Sequence, residues 1–240
     1  MAYRLSKGRV IAITGTNGKT TTTILTGEIL RTYFGEVFVV GNIGEPYTDV
    51  AGFTREQSLI VAELSSFQLE TIDQFKADVS AILNISPDHL DRHKDMETYI
   101  KLKERVTKNQ EGSDLCILNY EDPILRSMAD RLEVNVIFFS SRRILNKGLF
   151  LDGGEIILLK DRKRQLVCNT NDLHIIGRHN YENLMVAVAI GIYLGVPMDH
   201  IRKIITSFKG VEHRIEYVAN VNGVTYYNDS KGTNPQASIK

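Results

Sequence analysis

A chain of 240 residues with 42% hydrophobic and 24% charged residues has the balance of a folded globular protein, long enough for one large domain or one domain and part of another. Lys plus Arg equals Asp plus Glu at 29 each, so no net basic charge points to nucleic acid; the two cysteines, Cys116 and Cys168, exclude a cysteine-rich zinc site and read as buried free thiols in strand-like runs. No apolar stretch reaches the length of a membrane span and the start, MAYRLSKGR, lacks an apolar secretory region, so no membrane partner is expected and the expected compartment is the cytoplasm.

The first predicted strand is Arg9 to Ile13, RVIAI. It runs into GTNGKT, Gly15 to Thr20, which opens a predicted helix from about Thr20 to Tyr33. This is the G-x-x-G-K-[ST] core of a phosphate-binding loop, with the strand before it and the helix after it that the motif requires. Further strands are predicted at Glu36–Val40, Ser58–Glu63, Ala77–Leu83, Asp114–Leu118 and Val134–Phe139. Helices are predicted over Asp95–Asn109, where Met96, Tyr99, Leu102 and Val106 have helical spacing, and near Pro123–Leu132. Nearly all-apolar strands alternating with helices predict an α/β fold, a doubly wound and mostly parallel sheet covered on both faces. From Gly148 the texture changes. GLFLDGGEIILLK predicts a β-hairpin around Asp152–Gly154 and QLVCN another short strand, together a small antiparallel edge or appendage. Helices return at Asn180–Leu194 and Pro197–Phe208. Two strands follow around Asn222 and Gly223, then the polar run DSKGTN, Asp229 to Asn234.

Successive backbone N–H groups of Gly15, Thr16, Asn17, Gly18, Lys19, Thr20 and Thr21, with the helix N-terminus behind them, form an anion cradle. Lys19 would reach the β and γ phosphates and the Thr20 hydroxyl a magnesium ion. Four threonines in a row, Thr20 to Thr23, are poor helix interior residues, so something other than propensity must explain them. Glu63 closes an apolar strand at the carboxyl edge of the sheet, as a metal-binding carboxylate does; a charged strand cap is the alternative. Ser65 and Ser66 either meet phosphate or substrate or cap the next turn. Asp88, His89, Asp91 and His93 cluster after the fourth strand, and one of them could be a second ligand for Mg²⁺ or Mn²⁺. Asn180 and Asn183, three apart in GRHNYEN with His179, share one helix face and suit an adenine edge or a metal-bound phosphate. His213 and Arg214 stand in VEHRIE.

Together GTNGKTTT, GNIG, ELSSFQLE, NISPDHLDRH, YxxxK, GRHNxxN, EHR and DSKGTN resemble, in order, the motifs of the Mur ligase family, the ATP-dependent amide-forming enzymes of peptidoglycan precursor synthesis. ELSSFQLE and DSKGTN resemble the branch that adds D-glutamate to UDP-N-acetylmuramoyl-L-alanine. The resemblance implies roles that spacing does not. Lys19 and Thr20 would hold ATP and Mg²⁺, Glu63 the first metal and His89 a second. Lys103 would be the lysine that such enzymes carbamylate, turning a cation into an oxygen ligand. Without the resemblance it reads as a solvated helix lysine beside Lys101. Asn180, Asn183, His213, Arg214 and Asp229 would clamp the nucleotide; Asn42, Ser65, Lys231 and Thr233 would meet the substrates. Lys19, His89 and Lys103 would be catalytic, on a route through an acyl phosphate that D-glutamate attacks.

The resemblance also implies a division of the chain: residues 1–8 a linker remnant, 9–210 the central ATP-binding domain, and 211–240 the start of a further ligase domain. The expectations that follow are a monomer that binds nucleotide weakly and does not ligate alone. Residues from Val211 onward are expected to be disordered or paired as a strand with a neighbouring molecule.

Overall fold

The computed structural model of the protein describes residues 1–232. A single turn, α1 (Ala2–Leu5), precedes β1 (Arg9–Thr14), which feeds α2 (Lys19–Arg31). Then come β2 (Val37–Gly41), the short α3 (Tyr47–Val50), β3 (Leu59–Glu63), α4 (Ser66–Glu70) and β4 (Val79–Ile82). A second short turn, α5 (Leu90–His93), leads to α6 (Met96–Glu104), which starts where the Asp95 carboxylate accepts from the Thr98 amide at 2.7 Å. The helix predicted over 95–109 is shorter than expected: it tightens into a 3-10 turn at Arg105–Thr107. β5 (Leu115–Asn119), α7 (Pro123–Ala129) and β6 (Asn135–Ser140) complete the alternation. β7 (Gly148–Asp152), β8 (Glu155–Lys160) and β9 (Lys163–Asn169) follow, then α8 (Arg178–Tyr193), α9 (Met198–Ser207), β10 (Glu216–Val221) and β11 (Val224–Asn228).

β1 to β9 form one nine-stranded sheet in the order β2-β3-β1-β4-β5-β6-β7-β8-β9. Pairing is parallel from β2 to β7 and antiparallel from β7 to β9. The predicted antiparallel segment is therefore an edge of the main sheet, not a separate appendage. Alternation along β1 shows how the sheet is covered. Ile11 and Ile13 pack with Leu25 and Ile29 of α2, Leu184 of α8 and Ile201 of α9. Val10 and Ala12 face the other way, onto Leu69 of α4, Tyr99 of α6 and Leu125 of α7. Each such fully buried Leu or Ile contributes on the order of 1.5–3 kcal/mol of transfer free energy. Cys116 and Cys168 are buried free thiols, as expected.

β1 lies between β3 and β4: the chain passes from β1 to β2 and β3 on one side, then crosses from β3 to β4 on the other, so the strand order reverses beside β1. That is where an open α/β sheet forms its binding crevice, outside the carboxyl ends of the strands. The expectation for the last segment is overturned over its described part. β10 and β11 pair as an antiparallel hairpin, and Arg214 ahead of it reaches the start of α2, its Nη2 donating to the Thr20 hydroxyl at 3.2 Å. The polar residues at the hairpin base close it locally: the Lys231 amide donates to the His213 carbonyl and the Ile215 amide to Asp229 Oδ1. Thr233 lies outside the described residues.

Candidate functional site

The cradle follows from two glycines. The chain leaves β1 at Gly15, where a Cβ would press on Leu83, and bends again at Gly18, whose φ of +87° is left-handed. A Cβ on Gly18 would collide with Asn183 Oδ1. Four threonines open α2 for a packing reason: Thr20 to Thr23 are all buried, and the Thr22 hydroxyl donates to the Gly18 carbonyl at 3.0 Å and to Asn183 Oδ1 at 3.3 Å. They seat the helix start against α8.

Charge at the cradle is unbalanced. Lys19 Nζ folds back onto the carbonyls of Gly15 at 3.0 Å and Thr16 at 2.8 Å. Lys103 Nζ, 2% exposed, donates to the same Gly15 carbonyl at 2.9 Å and to the Thr14 hydroxyl at 3.2 Å. Two ammonium groups thus converge on one oxygen. Burial holds Lys19 below the usual lysine range. Burial first, and then the charge of Lys19, push Lys103 down to about 7. Beside them Glu63 is 1% exposed. Its Oε1 accepts from Asn42 Nδ2 at 2.9 Å, and its Oε2 is buried with no hydrogen-bond partner. A buried carboxylate oxygen left unpaired is costly unless a cation or donor meets it. Glu63 and the Thr20 hydroxyl therefore fit a hard divalent cation such as Mg²⁺, which takes oxygen ligands. Among the described residues no group of three or more His, Cys, Asp or Glu side chains could hold a metal. Such a cation would need further oxygens from a ligand or a modified side chain.

Three clefts meet at Arg214, and two of them open onto the phosphate loop. One, of about 400 Å³, is lined by Lys19, Thr20, Asn42, Glu63, His89 and Lys231, with Asp88 beside His89. The other has apolar walls from Leu83 and Phe139 and polar groups from Asn17, Asn180, Asn183 and Asp229. The first suits a string of phosphates and a carboxylate; the second suits a flat base and a sugar. Arg214 lines both, and its Nε is buried without a partner.

The family profile described as the Mur ligase middle domain matches residues 13–191. The chain belongs to the Mur ligase family. Over its whole length it is 60% identical to the UDP-N-acetylmuramoylalanine--D-glutamate ligase of Lachnoclostridium phytofermentans and 48% identical to the protein of that name in Clostridioides difficile. It covers 53% of each, so it spans about half the length of these curated relatives. Among solved structures, MurF from Acinetobacter baumannii matches with a TM-score of 0.74 at 19% identity, over 99% of this chain and 54% of that one. MurF from Thermotoga maritima in complex with ADP matches with a TM-score of 0.72 at 20% identity, over 98% and 57%. These two share its fold.

For a Mur ligase domain, the expected residues are largely gathered. Thr16, Asn17, Gly18, Lys19, Thr20, Thr21, Asn42, Glu63, His89, Asn180, Asn183, Arg214, Asp229 and Lys231 line the two clefts. Four do not. Lys103 lies under the loop rather than in a cleft, and Gly15 contributes its carbonyl to that lysine. Ser65 takes the alternative left open for it: it caps α4 in a reciprocal capping box with Gln68. His213 lies at the hairpin base, its Nδ1 2.8 Å from Asn228 Nδ2. Of the acidic and histidine cluster, His93 turns inward and pairs with the Ser66 hydroxyl at 2.9 Å. Sequence reasoning missed Leu83, Asn84, Phe139 and Glu182 as lining residues. Three of them end or follow parallel strands, so position at the sheet edge was the signal that could have found them.

Proposed function

We propose that the protein carrying this chain is an ATP-dependent ligase that joins D-glutamate to UDP-N-acetylmuramoyl-L-alanine in peptidoglycan precursor synthesis. One observation carries the choice of reaction: identity of 46–60% along the whole chain with curated ligases of that name. The substrate carboxylate would be activated as an acyl phosphate, and the amine of D-glutamate would then displace phosphate. Because the chain spans about half its relatives' length, we assign it the ATP-handling part; alone it is expected to bind nucleotide without ligating. We propose the cytoplasm, where ATP is supplied, as the compartment of the reaction; separately, no helix among the described residues is long and apolar enough to cross a membrane.

The residues divide the work. Lys19 exchanges its loop carbonyls for phosphate oxygens, which also relieves its crowding with Lys103. Arg214, between the clefts, follows charge along the phosphate chain. Leu83 and Phe139 exclude water from the base while Asn180, Asn183 and Asp229 hydrogen-bond to base and ribose. Magnesium, when bound at Glu63 and Thr20, supplies charge neutralisation for the transferred phosphoryl group. His89, exposed beside Asp88 at 3.7 Å, is the candidate for a second such site, and Asn42 and Lys231 face the acceptor.

Lys103 has a nitrogen suited to carbamylation, since a pKa of about 7 leaves much of it as free amine near neutrality. The amine nitrogen attacks the carbon of CO₂ and releases a proton to water, leaving a carbamate. The product would replace a cation packed on Lys19 by an anion, so the cradle's own charge favours the modified form.

The test is phosphate release by the protein carrying this chain, with UDP-N-acetylmuramoyl-L-alanine and each of D-glutamate, L-alanine and a diamino acid. Release that requires D-glutamate and disappears in Lys19→Ala is expected. Release stimulated by another amino acid would assign the chain to a different member of the family.

A further inference from the structure

Asn84, the second residue beyond β4, has a carboxamide that behaves as one more peptide group. The β1–β4 ladder runs past the ends of both strands: the Leu83 amide donates to the Thr14 carbonyl at 3.0 Å and the Thr16 amide to the Asn84 carbonyl at 2.9 Å. At Asn17 the loop turns away and backbone pairing stops. The side chain of Asn84 then takes over. Its Oδ1 accepts from the Asn17 amide at 2.9 Å and its Nδ2 donates to the Asn17 carbonyl at 3.0 Å. The reciprocal pair also fixes which end of the carboxamide is which, since only oxygen can meet the amide.

The next residues are pinned as well. The Ile85 amide donates to Asp122 Oδ2 at 2.7 Å. The Thr16 hydroxyl accepts from the Ser86 amide at 3.0 Å and lies 3.2 Å from the Ser86 carbonyl and from the Tyr99 hydroxyl. Phosphate loop and segment 84–86 are thus joined along their whole contact. Asp88 and His89, in the charged cleft, leave from the end of that segment.

We infer that Asn84 is a positioning residue whose carboxamide holds the tip of the anion cradle at Asn17 and sets the spacing from the cradle to Asp88 and His89. The role rests on reading the loop as a triphosphate cradle; the clamp itself does not. Ala at this position removes both bonds. Asp keeps the acceptor for the Asn17 amide, loses the donor to its carbonyl, and adds a negative charge to the wall of the second cleft. Asn109 is a control of the same chemistry: its Nδ2 ties the carbonyls of Asp73 and Phe75, which lie in neither cleft.

The experiment measures amide hydrogen exchange at Asn17 in the nucleotide-free chain and calorimetric affinity for ADP with magnesium. In Asn84→Ala, exchange at Asn17 is expected to rise, and ADP to bind about tenfold more weakly. Asn84→Asp is expected to bind ADP more weakly still, because its charge sits on the Asn17 amide of the anion cradle and cancels part of the cradle's positive field, while Asn17 stays partly protected. If Asn84→Ala does not fold, Asn84→Asp carries the test. Asn109→Ala is expected to lower thermal stability and leave both readouts unchanged. Unaltered ADP affinity in both Asn84 variants, or equal weakening in Asn109→Ala, overturns the inference. If the wild-type chain binds no ADP, the triphosphate reading and the positioning role fail together, and Asn17 exchange decides the clamp separately.

Discussion

Lys103→Met should make the chain more stable while removing the group proposed to be modified. Methionine fills a similar volume without charge. The lysine is held at about 7 instead of 10.5, and at about 1.36 kcal/mol per pH unit this is about 5 kcal/mol of opposition to the buried ammonium. Its hydrogen bonds offset little of that on removal. The Gly15 carbonyl keeps Lys19 at 3.0 Å, and the Thr14 hydroxyl keeps its own bond to the Leu64 carbonyl at 2.7 Å. Allowing about 1 kcal/mol for each lost bond, the net gain is about 2–4 kcal/mol below pH 7. The sign with pH follows from proton counting. Between about 7 and 10.5 the unfolded chain holds a proton at Lys103 that the folded chain has released. Wild-type stability therefore climbs by about 1.4 kcal/mol per pH unit through that window, so the advantage of the variant disappears near pH 9 and reverses above it. Urea denaturation at pH 6, 7.5 and 9, in buffer free of bicarbonate, measures this directly. A variant less stable than wild type at pH 6, or a constant difference across pH, would refute the charge argument.

Glu63→Gln should make nucleotide affinity insensitive to magnesium in calorimetric titration of the chain, and should lower phosphoryl transfer by the whole protein carrying it on the order of 100-fold. Arg214→Ala should weaken nucleotide binding roughly tenfold and reduce its salt dependence, because the lost guanidinium lies between both clefts. Gly18→Ala should destabilise the chain by roughly 2–4 kcal/mol in thermal denaturation and abolish nucleotide binding, since a left-handed φ and a collision with Asn183 act together.

What was legible in the sequence was whatever local chemistry dictates. RVIAI before GTNGKT identifies a strand, a cradle and a helix because that order aims the loop's backbone amides and a helix N-terminus at one anion. Glu63 could be singled out because a carboxylate closing an all-apolar strand has few structural uses. What was not legible depends on how distant segments meet. Lys103 on its own reads as a surface lysine beside Lys101, and only packing of α6 under the loop buries it against Lys19. Ser65 kept two readings until the capping box with Gln68 decided its position. His93 stands in the same short run as His89, yet one turn of α5 sends it to Ser66. The last segment is expected, from two strands that bury little, to be disordered or to pair as a strand with a neighbouring molecule. The contact of Arg214 with Thr20 shows why that reasoning was incomplete: its polar residues, not its strands, tie it to the cradle.

Lys19, Thr20, Glu63 and Arg214 are proposed to form a magnesium-dependent ATP site. Titrating the chain with a nonhydrolysable ATP analogue, with and without magnesium, in wild type and Lys19→Ala, tests it most directly. Binding that magnesium strengthens and Lys19→Ala weakens at least tenfold is predicted. Absence of binding in the wild type, or equal affinity in the variant, would show that these residues do not form such a site.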